Sequence, residues 1–99
     1  MFGVKAIDLK GLEEWKAAEK DFQLVDVRES VERENFNIGG DWIPLDEVVK
    51  LKDQVAQDKP VVFYCKRGIR SQLAIQKLKL NGYKGDFYNL KGGVYSLLP

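Results

Sequence analysis

The run Val61-Val62-Phe63-Tyr64 is strongly apolar and reads as a buried strand. It ends at the chain's single cysteine, Cys65. The next six residues, Lys66-Arg67-Gly68-Ile69-Arg70-Ser71, lead into a helix-like stretch. A buried strand, a tight basic loop and a helix start, in that order, build an anion pocket around one sulfur. Backbone N–H groups in a tight loop and in the first turn of a helix have no intrahelical partners, and the helix dipole adds partial positive charge there. Lys66, Arg67 and Arg70 contribute full charges, and together these groups favour thiolate over thiol. The thiolate is the nucleophilic form, so this is where chemistry can reside. The plainer alternative is a small apolar residue that ends a core strand. The cation-rich, glycine-containing loop directly after the cysteine favours the reactive reading.

The bulk composition narrows the function classes. Ninety-nine residues suit one domain with a single core, expected here over residues 1–99. Sixteen basic against fifteen acidic residues leave a net charge of +1, so the overall field suggests neither nucleic acid nor a membrane as partner. One cysteine forms no internal disulfide, no CxxC pair and no cysteine-rich metal site, which suits a reducing compartment. With zero histidines, a Cys–His protease, a Ser–His–Asp hydrolase and the usual His-bearing zinc sites are excluded. No metal or cofactor is therefore expected. Met1-Phe2-Gly3-Val4-Lys5 carries no charged region ahead of a long apolar segment, and the expected location is the cytoplasm.

Along the chain, Asp8 is placed to cap a helix reaching about Lys20, with Leu9, Leu12, Trp15 and Ala18 at helical spacing. Phe22 to Val27 predicts a strand, largely apolar and so covered on both faces. The charged stretch from Arg28 to Asn35 predicts a turn or two of helix before the Gly39-Gly40 break. Trp42-Ile43 predicts a short strand. After Pro44 an apolar stripe of Leu45, Val48, Val49, Leu51 or Lys52, and Val55 predicts a helix, with Asp46 and Glu47 in its first turn. A further helix is expected from Ile69 to about Asn81, stopped at Asn81-Gly82, and then a strand over Phe87–Leu90. Short apolar strands alternating with helices specify an α/β fold, a small, mainly parallel sheet of about five strands flanked by helices on both faces. Ligands in such sheets bind beyond the carboxyl ends of the strands, and Cys65 lies at one of those ends.

These segments together resemble the rhodanese family in its single-domain form. Leu24-Val25-Asp26-Val27-Arg28-Glu29 is similar to the family's early Asp-Val-Arg strand end. Ile38-Gly39-Gly40-Asp41-Trp42-Ile43-Pro44-Leu45 resembles its middle segment, Cys65 to Ser71 its active-site loop, and Leu90-Lys91-Gly92-Gly93 its closing turn. Phe36-Asn37-Ile38 stands where the family usually has Gly-His-Ile. Val94-Tyr95-Ser96-Leu97 stands where a tryptophan often follows the double glycine, which leaves the last helix open. The resemblance implies sulfur transfer. Cys65 would take the outer sulfur of an anionic donor such as thiosulfate, expel sulfite, and pass a persulfide sulfur to a thiol, to cyanide or to a protein acceptor. The loop amides from Lys66 through Ser71 would supply the donors for both anions. A cysteine phosphatase loop has one residue more between its cysteine and arginine than the four here, so the smaller ring favours sulfur.

The remaining marked residues have competing readings. Asp26, Arg28 and Glu29 are either an acid cluster or, as preferred here, charges that pair and position the segment beside the cysteine loop. Arg70 either faces substrate or turns outward to a carboxylate. Ser71 either donates to the sulfur or caps the following helix, and the cap is the expected role. Gly68 supplies a backbone shape other residues resist. Lys77, Lys79, Lys84 and Lys91 are a solvated face that could receive an acidic sulfur-carrier protein. A non-enzymatic rhodanese-like binding module is the alternative function, and no dimer patch is visible.

Overall fold

The computed structural model describes residues 3–99, so Met1 and Phe2, the start of the segment read above for a leader, lie outside the described residues. Among the described residues the elements run β1 (Lys5–Ile7), α1 (Leu9–Ala17), β2 (Gln23–Asp26), α2 (Ser30–Asn35), β3 (Asp41–Trp42), β4 (Pro60–Tyr64), α3 (Ile69–Leu80) and β5 (Asp86–Leu90). Short 3₁₀ turns occupy Leu45–Glu47, Lys52–Gln54 and Tyr95–Leu97. The strands form one sheet in the order β1-β5-β4-β2-β3, with every neighbouring pair parallel. This is the expected α/β architecture. No described helix is long and apolar enough to cross a membrane.

β4 explains why the sheet is covered on both sides. Its residues alternate between two apolar clusters: Val61 and Phe63, followed by Cys65, pack with Ala74, Ile75 and Leu78 of α3, while Val62 and Tyr64 pack with Leu12 of α1. Side chains that alternate across a strand leave no wet face when both partners are apolar. β2 divides in the same way, Val25 to the first cluster and Leu24 to the second. Because all strands are parallel, Asp26, Cys65 and the Lys91-Gly92-Gly93 turn emerge at the same end of the sheet.

The structure departs from the sequence expectations at several elements. No helix follows Pro44. The segment instead makes 3₁₀ turns, with Glu47 N–H donating to Pro44 C=O and Val55 N–H to Lys52 C=O, both at 2.9 Å. Leu45, Val48 and Leu51 are three residues apart, a spacing that a 3₁₀ turn stacks on one line, and adjacent β-branched Val48 and Val49 weaken an α-helix. α1 stops at Ala17, short of Lys20, and Glu19 then takes φ +54°. β3 falls on Asp41–Trp42, one residue earlier than expected. β1 has no counterpart in the sequence reading. Its three residues, Lys5-Ala6-Ile7, are too short to show a period, and their strand form comes from pairing with Tyr88–Leu90 of β5.

Candidate active site

Gly68 sets the geometry of the cysteine loop. It holds φ +90° and ψ 1°, a left-handed turn that a side chain strains, and it forms the N-cap of α3. That turn folds the loop back on its own cysteine. Gly68 N–H points at Cys65 Sγ at 3.1 Å, and Ser71 N–H reaches the same atom at 3.4 Å. The closing turn sits directly behind, where Val94 N–H donates to Cys65 C=O at 3.1 Å. Gly93, at φ +59°, makes that approach possible, because a Cβ there would fall against the carbonyl oxygens of Cys65 and Lys66.

Cys65 is only 1% exposed; its sulfur is turned toward the loop, and the residue is part of the lining of a shallow depression of about 260 Å³. Lys66, Arg67, Ile69 and Arg70 complete the lining. Burial pushes the thiol up, and the Ser71 hydroxyl with the backbone N–H groups of Ser71, Arg67 and Gly68 outweighs it, leaving the thiol below its ordinary value. Arg67 and Lys66 stand at the exposed rim over the ring of Tyr95, Arg67 Cζ 4.1 Å and Lys66 Nζ 5.8 Å from its centroid. Ile69 is 74% exposed, an apolar side chain at the mouth of a cationic depression.

Arg70 takes the outward reading. Its guanidinium pairs in a fork with the Glu32 carboxylate, at 2.6 and 2.8 Å, so it ties α3 to α2 across the site. That hydrogen-bonded pair holds the Glu32 carboxyl at about 2, against burial and with help from Glu29 N–H. Ser71 is not the helix cap. α3 begins at Ile69, with Gly68 in the cap position, so Ser71 lies in the first turn, fully buried. Its hydroxyl is 3.4 Å from Cys65 Sγ and donates to Asn89 Oδ1 at 2.5 Å.

Asp26 and Arg28 are both buried and paired. Arg28 donates from its backbone N–H and Nε to Asp26 Oδ1 and from Nη2 to Oδ2, all within 3.0 Å. Arg28 Nη2 continues to Phe36 C=O at 2.7 Å, and Arg33 reaches Asp26 Oδ2 at 3.2 Å and Gly40 C=O at 2.7 Å. One carboxylate thus fixes the end of β2, α2 and the segment after it. The acid-cluster alternative fails: Asp26 has both oxygens engaged by cations at 0% exposure, and Glu29 caps α2 in a box with Glu32. Asn89, Glu32 and Tyr95 also stand at the site, and the sequence motifs do not single them out. Asn89 did carry a signal, a polar residue in the otherwise apolar Phe87-Tyr88-Asn89-Leu90. Glu32 carried none, since it lies 38 residues from Arg70.

The family model of the Rhodanese-like domain matches residues 8–98. The chain is 44% identical over 82 residues to the uncharacterized protein YqhL of Bacillus subtilis (strain 168), covering 82% of this chain and 64% of YqhL. It is 32% identical over 84 residues to the thiosulfate sulfurtransferase GlpE of Coxiella burnetii, covering 83% of this chain and 78% of that one. A crystal structure of a rhodanese-like domain protein from Staphylococcus aureus superposes with a TM-score of 0.81 at 26% identity, over 93% of this chain and 89% of that one. With the family model spanning nearly the whole chain, this protein belongs to the rhodanese-like domain family, whose sulfurtransferase members are among its relatives.

Proposed function

We propose that the chain is a sulfurtransferase in which Cys65 carries the transferred sulfur. The observation that supports this most is the convergence of Gly68 and Ser71 N–H groups on the sulfur of Cys65, a residue that lines a cationic depression. The thiolate attacks the outer sulfur of a thiosulfate-like donor, a new S–S bond forms at Cys65, and the donor's S–S bond breaks, with sulfite leaving on the electron pair. Lys66 and Arg67 meet the sulfonate end of the donor at the rim. The loop amides from Lys66 to Ser71 then face a persulfide whose charge sits on the outer sulfur, and preorganised amides stabilise it without moving a proton. A thiol, cyanide or a thiol-bearing protein attacks that outer sulfur and returns Cys65 as thiolate. Asp26 and Arg28 support the loop by fixing α2, whose Glu32 holds Arg70.

Mass analysis of the intact protein after thiosulfate treatment is expected to show one added sulfur, removed by cyanide, and none on Cys65→Ala. Wild-type protein that gains no sulfur from thiosulfate or from a persulfide donor overturns the reading. The near-complete covering of Cys65 favours the binding-module alternative. In that case Cys65→Ser keeps full cellular function.

A further inference from the structure

A closed hydrogen-bond circuit runs beneath the sulfur. Gly68 N–H donates to Cys65 Sγ at 3.1 Å, Asn89 Nδ2 donates to Gly68 C=O at 3.1 Å, Ser71 Oγ donates to Asn89 Oδ1 at 2.5 Å, and Ser71 Oγ lies 3.4 Å from Cys65 Sγ. All four residues are buried or at the loop base, and Asn89 comes from β5, outside the cysteine loop. Two facts of donor chemistry fix the directions. A carbonyl only accepts, so Gly68 C=O forces the Asn89 amide to present its nitrogen there and its oxygen to Ser71. A serine hydroxyl has one hydrogen, so while Asn89 Oδ1 holds it, Ser71 offers the sulfur only lone pairs.

We propose that Asn89 is a positioning residue of the site, which competes with the Cys65 sulfur for the single hydroxyl hydrogen of Ser71. In the thiol form the S–H donates to Ser71 Oγ and the hydroxyl donates to Asn89, so every group is satisfied. In the thiolate form the sulfur needs the hydroxyl hydrogen, and taking it leaves Asn89 Oδ1 without a donor, a cost borne by a buried polar atom. When charge moves to the outer sulfur of a persulfide, Sγ no longer needs that hydrogen and it returns to Asn89. The circuit therefore makes one donor costly to the attacking thiolate and restores its own satisfaction once sulfur is loaded. The loaded half of this cycle rests on the sulfur-transfer reading, and the thiolate half does not.

The charged groups about the sulfur are Lys66 and Arg67 from the loop and Arg70 from α3, the last paired with Glu32 of α2. They are unchanged across a double-mutant cycle of Asn89→Leu and Ser71→Ala, read as the pH midpoint of Cys65 alkylation. Loosening of Gly68 by Asn89→Leu is common to both arms and cancels. The expected result is that Ser71→Ala raises the midpoint more in the Asn89→Leu background than in wild type, by about 0.5 on the pH scale or more. Equal effects in the two backgrounds overturn the proposal. Should Asn89→Leu not fold, the side-chain amide resonance of Asn89 in wild-type protein decides: it should titrate with the Cys65 midpoint and return to its thiol-form position on thiosulfate loading. A resonance that ignores the Cys65 titration overturns the proposal. Coupling without added sulfur by mass keeps the proposal and overturns the transfer reading.

Discussion

Arg70 shows how a residue beside a reactive sulfur can act at one remove. Its charge was a candidate for touching substrate, and the loop spacing could not separate that role from an outward one. The deciding group is Glu32, on a different element, whose carboxylate matches the guanidinium fork in two hydrogen bonds. The pair has a pH signature. The Glu32 carboxyl ordinarily titrates near 4.5 and is held at about 2 in the folded chain, so the unfolded chain binds the proton first as pH falls. Its stabilisation is complete above about 4.5 and is lost toward 2. Glu32→Gln is therefore expected to lower stability at neutral pH by about 1 kcal/mol or less, since the pair is partly exposed, with the difference from wild type closing at the acid end of a urea-melt series. Ser71 carries the same lesson: its hydroxyl reads as a cap from sequence, and only the neighbouring Asn89 shows where its hydrogen goes.

At the level of elements, the cysteine loop was legible because its chemistry is local. Strand, glycine turn and helix start are consecutive, and α3 begins at Ile69 as its pattern predicts. The closing turn is a second local device with a tertiary purpose. Gly93 lets the chain after β5 press on the Cys65–Lys66 backbone, where Val94 N–H takes the Cys65 carbonyl. Gly93→Ala would combine an unfavourable φ with a backbone clash. It is expected to cost about 2 kcal/mol or more in denaturant melts and to slow Cys65 alkylation, because the loop base must move. After Pro44 the apolar spacing fits both a helix and stacked 3₁₀ turns. The choice was made by packing of Val48 and Val55 against the α3 side of the sheet, which no local period reports.

In the whole molecule, two apolar clusters hold the sheet between them, and one buried carboxylate organises its carboxyl end. Asp26 anchors Arg28 and Arg33, and through them α2, Phe36 and Gly40. Removing a buried partner leaves cations without compensation, so Asp26→Ala is expected to destabilise by about 3–5 kcal/mol, measured by chemical denaturation. The milder Asp26→Asn should fold better while loosening the Arg70 anchor on α2, seen as faster hydrogen exchange in Ser30–Asn35. The α/β class, the parallel sheet and the cysteine loop follow from residue order alone, because continuous apolar strands, glycine turns and helix starts are written in adjacent residues. The partners of Arg70, Ser71 and Asp26, the strand form of β1 and the turns after Pro44 are set by the folded chain. Each depends on a group brought close by the fold from a distant part of the chain, and hydrogen-bond direction and burial follow from that proximity rather than from order along the backbone.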